Sequence, residues 1–95
     1  MDELRNGKLE LFQNVPNPFD YSTQIEFKIP KKGKVSLSVI NLLGEIVYLH
    51  EEDYNPGIYS LTWDRSKSNQ TITPGVYLYK LESNGETVIK KMLVK

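Results

Sequence analysis

Residues that make turns recur along this chain at short, nearly even intervals: Pro16-Asn17-Pro18, Pro30 to Gly33, Gly44, Asn55-Pro56-Gly57, Pro74-Gly75 and Asn84-Gly85. Proline removes a backbone donor and fixes φ, while glycine and asparagine tolerate positive φ, so each cluster stops regular structure. The runs left between them are rich in β-branched and aromatic residues. Such runs, bounded by turns about 8–12 residues apart, predict an all-β sandwich or barrel. No window of ten or more residues carries a helical apolar period, so no long helix is expected.

Alternation within the runs assigns their faces. Ser22 to Ile29 sets Ile25, Phe27 and Ile29 against Gln24, Glu26 and Lys28, and Lys34 to Asn41 sets Val35, Leu37 and Val39 against Ser36 and Ser38. Ile58 to Asp64 groups Tyr59, Leu61 and Trp63, which makes Trp63 the largest core candidate. Val76 to Glu82 places Tyr77, Tyr79 and Leu81 together. Between Ile46 and Glu51 the pattern is ambiguous, because Ile46 and Tyr48 compete with Val47 and Leu49 for the inward face. Asn84-Gly85 predicts a type I′ hairpin returning through Thr87 to Val94. With a short strand near Leu9 to Phe12, seven strands are expected, enough for two small antiparallel sheets. Residues 1–8 read as a linker before a domain over 9–95, and the polar stretch Arg65 to Thr73 reads as an exposed loop.

Composition excludes much chemistry. Twelve Lys and Arg balance twelve Asp and Glu, without the basic excess expected of a nucleic-acid binder. The chain has no cysteine and one histidine, His50, so thiolate chemistry and His- or Cys-based metal centres lack their ligands. No apolar run approaches the roughly 18 residues of a membrane helix, and direct membrane insertion is not expected. The acidic start Met1-Asp2-Glu3-Leu4-Arg5 has no apolar core and does not read as a signal peptide.

The remaining constellations have ordinary explanations. Glu51-Glu52-Asp53 lacks calcium-loop spacing and reads as a solvated strand end, with His50 at the same strand edge. No nucleophile elbow or phosphate-cradling glycine loop is present, so neither catalysis nor a cofactor is expected. Asn69-Gln70-Thr71 matches a glycosylation acceptor by a pattern short enough to arise by chance. Ten aromatics could stack on sugars, but most fall on inward rows, leaving Tyr48, Tyr54 and Phe19 as those expected to be partly exposed. The run Lys90-Lys91-Met92-Leu93-Val94-Lys95 has two readings. Its lysines could guard an edge strand against aggregation, or a partner could grip that edge by pairing with its backbone and reading its charges.

Six blocks, in order, resemble a known family. Leu11-Phe12-Gln13-Asn14-Val15-Pro16-Asn17-Pro18-Phe19 is similar to the QNYPNPF opening of type IX secretion system carboxy-terminal sorting domains. Ser22 to Phe27 resembles that family's first long strand, and Val39 to Val47 resembles its V-x-D-x-x-G-x-x-V turn, with Asn41 in place of Asp. Gly57-Ile58-Tyr59 to Trp63-Asp64, Pro74-Gly75-Val76-Tyr77 and Lys90 to Lys95 resemble the remaining blocks. Val15 replaces an aromatic, Asp20-Tyr21 replaces Asn-Pro, and Pro74-Gly75 lacks an intervening residue.

The resemblance implies an immunoglobulin-like sandwich that serves as a non-catalytic address on a larger cargo. The cargo would fold in the periplasm of a Gram-negative bacterium and leave through an outer-membrane translocon and its shuttle protein, to be secreted or held at the cell surface. A sortase-like cysteine protease would then cleave the domain away. Carried onto this chain, the recognition residues would be Pro74, Gly75, Tyr77, Lys90, Lys91, Leu93 and Lys95. A structural spacer or adhesion module is the alternative reading, and a sugar-binding module stands behind it.

Overall fold

A computed structural model describes residues 7–95. The elements are β1 (Glu10–Leu11), β2 (Ser22–Ile29), β3 (Gly33–Ile40), β4 (Ile46–Tyr54), β5 (Gly57–Asp64), a 3₁₀ turn (Arg65–Lys67), β6 (Gly75–Ser83) and β7 (Glu86–Val94). They form two antiparallel sheets, ordered β1-β2-β5 and β4-β3-β6-β7. The expected all-β sandwich of seven strands is therefore present. Of the proposed linker 1–8, residues 1–6 lie outside the described residues.

Alternation explains most of the core. Ile25, Phe27 and Ile29 of β2 face Val35, Leu37 and Val39 of β3, joined by Tyr79, Leu81 and Met92 from β6 and β7. At the hairpin, Asn84 and Gly85 both take positive φ, +50° and +82°, as a type I′ turn demands. In the β3–β4 turn, Asn41 Oδ1 accepts from the Leu43 and Glu45 amides at 3.0 and 2.9 Å. An amide oxygen does the acceptor's work there as well as a carboxylate would.

Three expectations are corrected. Phe19 is buried, at 1% exposure, and packs edge-on against Trp63 with ring centroids 5.6 Å apart. The ambiguity in β4 comes from a bulge: the register shifts between Val39↔Tyr48 and Ile40↔Ile46, leaving Val47 as the extra residue. Val47 is buried and the neighbouring Tyr48 packs against the core, which no strict alternation allows. The polar stretch after β5 is not wholly an exposed loop, since Ile72 is buried within it. Asn69 is tied down there too, its N–H donating to Val47 O and its Nδ2 to Ile46 O.

Strand directions define two poles. Pairs Gly33↔Tyr54, Ile29↔Gly57 and Ser83↔Glu86 lie at one, which we call the hairpin pole. Ser22↔Asp64, Ile40↔Ile46 and Gly75↔Val94 lie at the other. Because Glu10 pairs with Lys28, the chain arrives at the hairpin pole and β7 finishes at the opposite one. The long axis extends 44 Å.

Candidate recognition site

β7 is an edge strand, and its main-chain groups would be open to a partner if nothing covered them. Its second half is covered by the chain's own Gln13–Phe19 segment. Gln13 Nε2 donates to Lys91 O at 2.9 Å, and the Leu93 N–H donates to Asn17 Oδ1 at 2.9 Å. The Phe19 N–H then donates to Leu93 O at 3.1 Å, and the Lys95 N–H to Phe19 O at 2.9 Å. Phe19 and Val94 thus form a parallel bridge. The backbone handle that one of the two readings placed at this strand is already occupied from Lys91 to Lys95, so what remains readable there is side chains.

The segment is held from inside. Asn14 is buried, and its Nδ2 donates to Pro16 O and to Thr23 Oγ1 at 3.1 and 3.0 Å. Its N–H donates to the Tyr79 hydroxyl at 2.9 Å, and that hydroxyl donates to Phe12 O at 2.8 Å. Burial raises the Tyr79 hydroxyl above its ordinary pKa of 10.0, against an opposing pull from the Asn14 amide. On the far side of Lys95, Arg65 donates from Nη2 to Lys95 O at 2.6 Å, with Asp20 Oδ1 at 4.0 Å from the same nitrogen. Arg65 opens the 3₁₀ turn, its N–H donating to Tyr21 O at 3.2 Å, and the Asp64 carboxylate caps that turn by accepting from the Ser66 amide and hydroxyl. Those hydrogen bonds hold the Asp64 carboxyl below the usual range.

The sequence-assigned residues divide between places. Gly75 pairs with Val94 across the sheet, so Pro74, Gly75, Leu93 and Lys95 gather at the pole where β7 finishes. Gly75 takes φ +142°, a conformation that side chains disfavour, with open space where a Cβ would stand. Tyr77 is buried, and its hydroxyl donates to Thr73 O at 2.9 Å and accepts from the Thr73 N–H at 3.1 Å, fixing the loop before Pro74. Its phenol is thus turned to packing and loop closure. Lys90 and Lys91 part company: Lys90 shares the inward row with Met92 and lines a shallow groove beside Leu9 to Gln13, whereas Lys91 points outward beside Leu78.

Sequence reasoning missed Asn17, Phe19 and Arg65, which hold the last strand. The Pro-Asn-Pro run carried the signal for Asn17, whose carbonyl stands free between two residues that cannot extend a strand. Nothing local marks Arg65. Among the described residues no cluster of three potential metal ligands exists, and no helix is long and apolar enough to cross a membrane. Tyr48 and Tyr54 are half-buried against the core, and Tyr21 is the aromatic that stands well exposed.

Comparison with known proteins bears on the family and the fold. The family described as "Secretion system C-terminal sorting domain" matches residues 15–95, starting four residues after the first block of the resemblance. No curated protein matches the chain. Among solved structures, the crystal structure of dimeric latent PorU from Porphyromonas gingivalis superposes on 93% of this chain with TM-score 0.72 and 20% identity. The chain spans 9% of that protein's length, and the likeness shows the shared fold. With the family matched from the Pro-Asn-Pro segment to Lys95, the chain belongs to the C-terminal sorting domains of the type IX secretion system.

Proposed function

We propose that this domain is a non-catalytic address that carries a cargo domain of the same chain across the outer membrane and is then removed by a sortase-like cysteine protease. Membership of the family supports secretion by the type IX route in a Gram-negative bacterium. The observation that carries the finer reading is the closure of β7: the Gln13–Phe19 segment occupies its edge, which leaves Lys91, Leu93 and Lys95 as displayed side chains on a fixed backbone. A rigid display lowers the ordering cost when a partner docks. The partners in this reading are the translocon and its outer-membrane shuttle, with passage through the periplasm and release outside or at the cell surface. The domain is proposed to fold as residues 9–95, with recognition by Pro74, Gly75, Leu93, Lys91 and Lys95, while Tyr77 closes the loop before Pro74 and Lys90 faces the groove beside Leu9 to Gln13.

Position separates this reading from a structural spacer. A reporter placed after Lys95 should block export, while the same reporter placed before residue 1 should leave the cell. A spacer would be indifferent to the order. Equal export from both fusions, in a host with type IX machinery, would overturn the sorting reading.

A further inference from the structure

The outward face of the four-stranded sheet does not alternate into polar residues as a solvated antiparallel sheet ordinarily does. Register places Ile46, Ile40, Leu78 and Lys91 in one row across β4, β3, β6 and β7. The next row toward the hairpin pole holds Leu49, Ser38, Lys80 and Ile89. The row after that holds Glu51, Ser36, Glu82 and Thr87. One half of the face is thus apolar with lysines, and the other carries Glu51, Glu82 and Asp53 with Lys34 among them.

The apolar half is well exposed: Ile46 47%, Leu49 50%, Ile89 54% and Leu93 39%. Among the described residues nine large apolar side chains are markedly exposed, and these four are joined by Leu42 and Leu43 on the adjoining β3–β4 turn. That turn faces Val76 across a groove of about 370 Å³ bounded also by Pro74 and Gly75. Scattered apolar residues are normal on a surface, but a continuous patch marks a contact site.

Charge decides the occupant. Lys80 lies 3.6 Å from Glu82, but Lys91 has no carboxylate within 4.0 Å among the described residues. Burying the patch would strip water from Lys91, a cost met only by an opposing carboxylate. A second copy stacked about a two-fold axis within this half-face would offer Lys91 no carboxylate, because its two rows hold none. We propose that this half-face docks a protein of the export machinery whose contact surface is an apolar ridge edged by carboxylates. The proposal rests on the sorting reading above.

The test fuses the full chain behind a periplasm-directed fluorescent reporter in a host with type IX machinery. Four versions are compared: unaltered, Lys91→Glu, Leu49→Ser with Ile89→Ser, and a control, Ile58→Ser. Ile58 is 61% exposed on β5, in the other sheet. External reporter is expected to fall about ten-fold or more for both face variants. The control should export as the unaltered chain does. Lys91→Glu changes an exposed side chain, so it reads recognition even where the double variant lowers the melting temperature. Export of both face variants at the unaltered level overturns the docking surface. Retention of the unaltered fusion overturns the sorting reading instead, and the docking proposal with it. Sedimentation of the purified chain should show a monomer, whereas a dimer dissolved by Leu49→Ser with Ile89→Ser would assign the face to a second copy and overturn the proposal.

Discussion

At the scale of single residues, the hydroxyl of Tyr79 couples the sheet to the segment that covers β7. It joins Phe12 O to the Asn14 amide deep in the molecule, and Asn14 carries the bond on to Pro16 and Thr23. Tyr79→Phe leaves the buried Asn14 amide and the part-buried Phe12 carbonyl unpaired and should cost about 1–3 kcal/mol in chemical denaturation. The same group sets an alkaline limit. Because its pKa is raised in the fold, its contribution is complete below the ordinary value of 10.0 and is lost as pH rises through the folded value. Tyr48 and Tyr54 are also raised, chiefly by burial, so Tyr79→Phe should lessen the alkaline loss of stability without abolishing it. A pH series of melting temperatures checks this. Gly75 is a separate case: at φ +142° a side chain brings strain without a clash. Gly75→Ala should therefore destabilise by about 1–3 kcal/mol, read from the denaturation midpoint.

At the scale of elements, β7 is held by the segment that covers its edge. Asn17→Ala removes the acceptor of the Leu93 N–H, so amide exchange at Leu93 should quicken while that of Tyr79, in the centre of the sheet, stays slow. Equal exchange at Leu93 in both proteins would show that the Asn17 contact does not hold the strand. The strand also contributes Met92 and Val94 to the core. Met92→Ala should cost about 2–5 kcal/mol in denaturation. Removing Lys90 to Lys95 whole would confound recognition with unfolding, which is why single exposed side chains are the sharper probes. Most strands were legible because their apolar residues alternate and their turns are marked by Asn, Gly and Pro. The hairpin was legible down to its turn type, since Asn84-Gly85 suits few other conformations. β4 was not, because a bulge cancels the two-residue period at Val47 and Tyr48. The covering segment was not legible either: no periodicity announces that Phe19, flanked by polar and turn residues, inserts against Trp63. Of the residues assigned to recognition from the sequence, it could not be read that Lys90 and Lys91 point to opposite sides of the sheet or that the Tyr77 hydroxyl closes the loop at Thr73.

At the scale of the whole molecule, the two poles keep the chain's entry apart from the residues proposed for recognition. The chain arrives beside Lys28 at the hairpin pole, and Gly75, Leu93 and Lys95 lie at the other end of a body 44 Å long. A domain preceding residue 7 would therefore hang from the end remote from the displayed side chains. The sandwich is small, and a chain of this length buries only about 60% of its unfolded surface, so its stability should be modest. The closing contacts from Asn17, Phe19 and Arg65 matter more in such a body than they would in a large one. The central claim is that this domain alone directs export. The most direct measurement is the partition of a periplasm-directed fluorescent reporter fused before residue 1, in matched strains with and without a working type IX translocon. Reporter is expected outside the first strain and retained in the periplasm of the second. Folded reporter retained by both strains would contradict the claim.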